Sequence, residues 1–162
     1  VATINEAFGS HTALTVTNLN SLASSATAGW QSAVVDNRTT KALDYEVHVT
    51  LDMSATAPAN DKAAYIYVYA AYHDGSNWQP TNNATGTEGT ITITNPNNFI
   101  LAKVLTYQTS DDTLKSGGFF ISQCFGGRIP DGFGIVIINY TGSQVAASGN
   151  VVAYKAYTET VA

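Results

Sequence analysis

Charge is scarce in this chain. Only 12% of its 162 residues are Asp, Glu, Lys or Arg, about half of the roughly 25% usual in soluble domains. The 7 basic residues are scattered from Arg38 to Lys155 and are outnumbered by 12 acidic ones, for a net charge of -5. Binding to nucleic acid needs a basic stripe that displaces counterions from phosphate, so neither DNA nor RNA is an expected partner. Cysteine is almost absent, and Cys124 alone cannot form an internal disulfide. No apolar run approaches the roughly 20 residues of a spanning helix, so no membrane span is expected. The opening Val1-Ala2-Thr3-Ile4-Asn5-Glu6 has neither the basic nor the apolar region of a signal peptide. The expectation is a chain made and folded in a cytoplasm.

What is present is apolar and uncharged polar. Hydrophobic residues make up 44%, enough for one domain of this length to bury roughly 70% of its unfolded surface. Thr, Ser and Asn recur, as in Thr15-Val16-Thr17-Asn18 and Thr90-Ile91-Thr92-Ile93-Thr94, and branched Thr suits a pleated surface. Such a surface is typical of extracellular or particle-bound β-proteins. No linker or low-complexity block divides the chain, which reads as an N-terminal arm over residues 1–11 and a single domain over 12–162.

Short strands punctuated by turns dominate the pattern. From Ala42 to Met53, Leu43, Tyr45, Val47, Val49 and Leu51 alternate with Asp44, Glu46, His48, Thr50 and Asp52, a strand with one wet face. Ala64 to Tyr72 sets Ile66, Val68 and Ala70 against Tyr65, Tyr67 and Tyr69. Phe133 to Tyr140 is apolar on both faces and predicts a central strand. Further strands are expected near Thr12–Leu19, Gln31–Asp36, Thr87–Thr94, Phe99–Tyr107, Phe119–Phe125 and Val151–Thr158. Asp74-Gly75, Asn95-Pro96-Asn97-Asn98, Gly126-Gly127 and Pro130-Asp131-Gly132 are turn signals. Leu19 to Gly29 is the best helix candidate, with a loop the competing reading. About eight or nine strands predict an all-β antiparallel β-sandwich, jelly-roll or immunoglobulin-like, with a closed barrel the alternative.

Catalytic signatures are missing. His11, His48 and His73 show no paired metal-ligand spacing; His48 reads as a solvated strand residue and His73 as a turn residue. There is no G-x-S-x-G elbow and no phosphate loop. Cys124, between Gln123 and Phe125, reads as a buried, inert thiol in a strand. Asp44, Glu46 and Asp52 share one strand face as an acidic ladder, which reads as a solvated face, with a paired-carboxylate hydrolase using Glu46 the minor alternative. Asp74 and Asp111-Asp112 lack a calcium-loop pattern. The Asn-x-Thr triplets at Asn37, Asn83 and Asn139 are what an Asn- and Thr-rich chain produces by chance. No cofactor is expected.

Aromatic residues carry more information. Tyr65, Tyr67 and Tyr69 share a strand face, and Tyr72 and Trp78 flank the Asp74-Gly75 turn. Rigid, amphipathic Tyr rings are enriched at binding surfaces. These five residues are the candidate interface or ligand-stacking set, the competing reading being that both strand faces are covered within the sandwich. Trp78 between Asn77 and Gln79 would also suit a carbohydrate, which needs stacking and amide hydrogen bonds.

The phrase Ser21-Leu22-Ala23-Ser24-Ser25-Ala26-Thr27-Ala28-Gly29-Trp30-Gln31-Ser32-Ala33, followed by Val35-Asp36-Asn37, is joined by Leu43-Asp44-Tyr45, Tyr65–Tyr69 with Asp74-Gly75, and Gly126-Gly127 to Gly134-Ile135-Val136. Together, from about Ser21 to Thr158, these resemble small structural virion proteins of tailed bacteriophages. The resemblance implies a capsid decoration (cement) protein on the head exterior, made in the cytoplasm of a bacterial host. It further implies a homotrimer bound to the major capsid protein, with no catalytic residues to carry over. A tail-associated or host-facing carbohydrate-binding module is the alternative reading, and an enzyme acting on polysaccharide the third.

Overall fold

Eight consecutive residues, Gly132 to Asn139, are buried, and the rest of the chain is arranged to cover them. The computed structural model describes residues 3–59 and 63–161. Of the expected arm and domain, residues 1, 2, 60–62 and 162 lie outside the described residues. In chain order the elements begin with β1 (Ile4–Phe8), β2 (Thr12–Ala13), β3 (Ala28–Gln31), β4 (Val35–Asp36) and the helical turn α1 (Asn37–Thr40). Next come β5 (Asp44–Asp52), β6 (Ala63–His73), β7 (Trp78–Pro80), β8 (Gly89–Thr92), a 3-10 turn (Pro96–Asn98) and β9 (Ile100–Thr106). The chain closes with β10 (Thr113–Lys115), β11 (Phe119–Phe120), the helical turn α2 (Ile121–Cys124), β12 (Gly132–Tyr140) and β13 (Val151–Val161).

Two antiparallel sheets form a β-sandwich. The first runs β1-β13-β5-β10, with β11 also on β5 and β2 also on β13; the second runs β7-β6-β12-β3-β8, with β9 also on β6 and β4 also on β12. The expected class is therefore correct, but the described residues hold 13 strands, not eight or nine. Five of them, β2, β4, β7, β10 and β11, are two or three residues long, too short to display alternation. Three expected strands are interrupted, and Gln31–Asp36 is one of them, broken at residues 32–34 between β3 and β4. Thr12–Leu19 keeps only β2, and Phe119–Phe125 stops after β11 because Asp44 on β5 captures the next turn. The Asp44 carboxylate accepts from the backbone N–H of Ser122 at 3.0 Å and from its hydroxyl, so Cys124 sits in α2 instead of a strand. Leu19 to Gly29 is a loop up to β3, pinned by the buried Leu19 and Leu22.

The main core lies between the sheets. Tyr45, Val47, Val49 and Leu51 of β5 meet Ile66 and Val68 of β6, Phe133, Ile135 and Ile137 of β12, and Trp30 of β3. Each large side chain fully buried here contributes roughly 1.5–3 kcal/mol. A second, smaller core lies on the other face of the second sheet, where Tyr69, Ala71, Val136 and Ile138 pack against Ile91, Ile93 and Phe99. The chain leaves β7 at one edge of this sheet, reaches β8 at the far edge, and returns to β9 beside β6. Residues 81–88 and 93–99 thus form two straps over that face. Gln31 anchors one strap by accepting from Thr85 N at 3.0 Å, the Asn82 side chain donates to the Asn98 carbonyl in the other, and that of Asn83 donates to the Thr92 carbonyl at the end of β8. Glu88 accepts from the Trp30 indole at 2.8 Å and from Asn18 N and Nδ2, both at 2.8 Å.

Buried polar groups on β12 are satisfied. The Asn139 amide donates to the carbonyls of Leu22 and Ser143 at 3.0 and 2.7 Å, and accepts from Thr141 Oγ1 at 2.7 Å. Its burial removes one Asn-x-Thr triplet from the surface. Glycines on the same strand make room for rings. A Cβ on Gly134 would lie 2.1 Å from Tyr69 Cζ, and one on Gly132 would lie 2.8 Å from Trp78 Cη2. Gly132 therefore belongs to the strand and serves packing, although in sequence it completes a turn signal. Gly75, at φ +101, is a turn residue, with Asp74 Oδ1 accepting from Ser76 N and Asn77 N at 2.8 Å.

Because Tyr69 is held by its neighbours, Gly134→Ala is expected to cost roughly 1–3 kcal/mol through overpacking. In urea unfolding this appears as a lower midpoint with an unchanged slope. Gly89→Ala, where an added methyl meets open space, is expected to stay within about 0.5 kcal/mol of the parent.

Candidate functional site

The straps cover only part of the outer face of the second sheet. At their margin, Tyr65 and Tyr67 of β6 remain half-buried, their rings 6.5 Å apart and inclined at 29°. Antiparallel register places Val104 opposite Tyr65 and Leu101 opposite Tyr67, so both aliphatic side chains flank the tyrosines on the same face. Leu101 is 50% exposed and Val104 47%. On the other side, Tyr140 at the end of β12 joins Ile138, Pro96 and Ala26 around a shallow groove of about 200 Å³ that also touches Tyr65 and Tyr67. Among the described residues the groove lining carries no charge. Burial, and then the neighbouring Tyr65, push the Tyr67 phenol above its ordinary value. At neutral pH it is a neutral hydrogen-bond donor at the margin of an apolar surface.

The structure divides the five sequence-predicted residues. Tyr65 and Tyr67 lie together at the margin of the straps, both half-buried, with Phe99 of one strap packed against the Tyr67 ring at 6.4 Å. Tyr69 is 1% exposed beneath the straps, where its hydroxyl donates to the Ser32 carbonyl at 2.8 Å and burial raises its pKa strongly. Tyr72 is exposed at the opposite end of β6, on the alternate face. Trp78 is clamped at that end too. The Arg38 guanidinium sits over its ring 4.7 Å from the centroid, His73 meets it edge-on at 5.0 Å, and Gly132 backs it. Arg38 is itself held by a two-pronged bond to Asp36 at 2.9 and 3.2 Å. A ring stacked in this way is already occupied, so Trp78 does not extend the Tyr65–Tyr67 surface. Leu101, Val104 and Tyr140 were not singled out by sequence reasoning. β9 reads as apolar on both faces, and alternation does not distinguish an edge strand from a buried one.

Residues weighed for catalysis are dispersed or engaged. Asp44 caps α2, Asp74 closes its turn, and three hydrogen-bond donors, chiefly the Asn77 and Ser76 N–H groups, hold its carboxyl down at about 2. His48 Nε2 lies 3.2 Å from Glu46 Oε1 on the outer face of β5, and His73 Nδ1 accepts from Gly75 N at 3.0 Å. Burial, then Asp44, push the Cys124 thiol up, which lowers its thiolate fraction. Among the described residues no three His, Cys, Asp or Glu side chains converge as metal ligands, and no helix is long and apolar enough to cross a membrane. No protein-family model, curated protein or solved structure matches this chain.

Removing the cation over Trp78 uncovers its ring. Arg38→Ala is expected to shift tryptophan emission to the red and increase quenching by acrylamide, while the fully buried Trp30 supplies an unchanged blue component. An unaltered spectrum would mean that Arg38 does not cover Trp78 in solution.

Proposed function

We propose that this chain is a structural virion subunit, specifically a capsid decoration protein of a tailed bacteriophage that binds the major capsid protein on the head exterior and assembles as a trimer. The observation that carries this reading is the partly open end of the second sheet, where Tyr65, Tyr67, Leu101, Val104 and Tyr140 form an uncharged aromatic–aliphatic surface. Interface cores are enriched in aromatic residues and depleted of charge, and exposed apolar patches rimmed by polar residues mark association sites. The low charge and the Thr- and Asn-rich exterior agree with a passive, particle-bound role. In this reading the protein works by burying apolar surface across neighbouring capsomers, with no chemical step.

Quantitative mass spectrometry of purified particles is expected to find the chain in fixed stoichiometry with the major capsid protein. Its absence from particles would overturn the proposal. Leu101→Glu places a charge in the contact, which costs several kcal/mol when desolvated, and is expected to abolish rebinding to particles stripped of the protein.

A second reading rests on the Tyr65–Tyr67 pair and its groove. Near-parallel tyrosines beside a shallow groove also form a stacking platform for sugar rings, as a host-facing carbohydrate-binding module would use. Here Tyr67→Ala is expected to abolish glycan binding without loss of fold. A folded parent protein that binds nothing on a broad glycan array removes this reading.

A further inference from the structure

A second set of unpaired features lies away from the Tyr65–Tyr67 surface. β1 lies along the end of β13, from Ile4 opposite Val161 to Phe8 opposite Tyr157, whereas β5 pairs with β13 only as far as Tyr157. Beyond that residue the two strands run on as a two-stranded ribbon. All five residues of β1 are exposed, with Ile4 and Phe8 each at 63%. Isolated two-stranded ribbons are at best marginally stable in water, and among the described residues the outer edge of β1 has no strand partner. Ile4, Glu6 and Phe8 share one face by period two, giving an apolar–acid–apolar series.

The matching features lie along the open side of the sandwich. There β9, the edge of the second sheet, runs beside β10 and β11, the edge of the first. Two clefts lie along this seam. One, of about 300 Å³, lies between Val104–Thr106 and Asp112–Lys115. The other, of about 420 Å³, is lined by Ile100, Leu101, Lys103, Phe119, Phe120 and Cys124, among others. Phe120 and Gln123 also border a third cleft, of about 480 Å³, at the ribbon's base beside Phe8 and Tyr157. On β9 the register sets Ile100 and Lys103 opposite Val68 and Ile66, on the core side, whereas Leu101 and Val104 lie on the other face beside Tyr67 and Tyr65. Lys103 makes no ion pair among the described residues.

Charge biases which edges pair, and Glu6 already lies opposite Glu159 within its own ribbon. An antiparallel β1–β1 contact centred on the strand sets Glu6 against Glu6, and a β9–β9 contact centred on the strand sets Lys103 against Lys103. Like charges directly opposite destabilise a strand pair, and a lysine on an edge strand guards against self-pairing. A β1–β9 contact instead sets Glu6 against Lys103, with one of its apolar neighbours, Ile4 or Phe8, towards Ile100 on the same face. The lengths also suit: five residues of β1 span ~17 Å and seven of β9 ~23 Å. Glu6 already accepts a hydrogen bond from Tyr157, and a carboxylate has acceptor sites to spare.

We infer that the β1 ribbon of one copy docks along the β9 seam of a second copy of this chain, with Glu6 opposite Lys103. This deepens the reading of the chain as an assembly subunit by naming its self-contact, and it leaves the Tyr65–Tyr67 surface free for the capsid.

The test is a charge swap read by light scattering during size exclusion over a dilution series, with circular dichroism confirming the fold of each variant. The parent is expected to be oligomeric. Glu6→Lys and Lys103→Glu, each opposing like charges, are expected to weaken association at least about tenfold, and the double swap to restore it. Phe8→Ser, which leaves every charge in place, is expected to weaken association as well. A monomeric parent, an oligomer indifferent to all these changes, or a double swap no better than either single one would overturn the inference. The two proposals fail separately. A monomer present in stoichiometric amounts on particles contradicts only the ribbon contact. A swap-restored oligomer absent from particles contradicts only the virion role.

Discussion

The structure depends on a central strand that has no polar face. From Gly132 to Asn139, β12 must be dry on both sides, and a two-sheet sandwich covers only one. The other side is closed by residues 81–88 and 93–99, which cross the sheet and return, burying Tyr69, Val136 and Ile138. Gly132 and Gly134 are part of the same solution, because rings from β7 and β6 lie directly against the strand backbone there. Both straps leave the Tyr65 end of β6 only partly covered, and the candidate interaction surface is what remains.

That geometry explains which parts of the fold were legible in sequence. β5 alternates because one face is core and one is water, and β12 reads as central because neither face is wet. β6 presents two apolar faces as well, but alternation reports only which residues share a face. It does not report what covers the face. Tyr65, Tyr67 and Tyr69 look equivalent in sequence, and only the path of residues 81–99 separates a buried Tyr69 from a half-open Tyr65. Trp78 is lost to the surface for a similar reason, through Arg38, forty positions earlier. The short strands β7 and β10 and the exposed β1 carry no periodicity and were not anticipated as strands. α2 replaces an expected strand because Asp44, far off in sequence, caps it.

The polar chemistry of the chain is directed to holding segments in place. Asp44 fixes α2, Asp74 closes a hairpin, Asp36 positions Arg38 over Trp78, Glu88 ties a strap to Trp30 and Asn18, and Asn139 stitches the end of β12 to Leu22 and Ser143. Carboxylates used in this way are acceptors in local networks, and apart from the Arg38 partner of Asp36 their neighbours are backbone N–H groups and neutral side chains. What the molecule presents outward is apolar surface in two places, the Tyr65–Tyr67 end of the second sheet and the edges flanking the open seam. Apolar surface carried on paired strands favours association, since its backbone is already ordered before contact.

The central claim is that the partly open end of the second sheet is a docking face. Hydroxyl-radical footprinting of the free protein and of the same protein on intact particles tests it most directly. Tyr65, Tyr67 and Tyr140 are expected to be labelled in the free protein and protected on the particle, while the exposed Tyr72 at the other end of β6 reacts equally in both. Equal labelling of Tyr65 and Tyr67 in the two states would contradict the account.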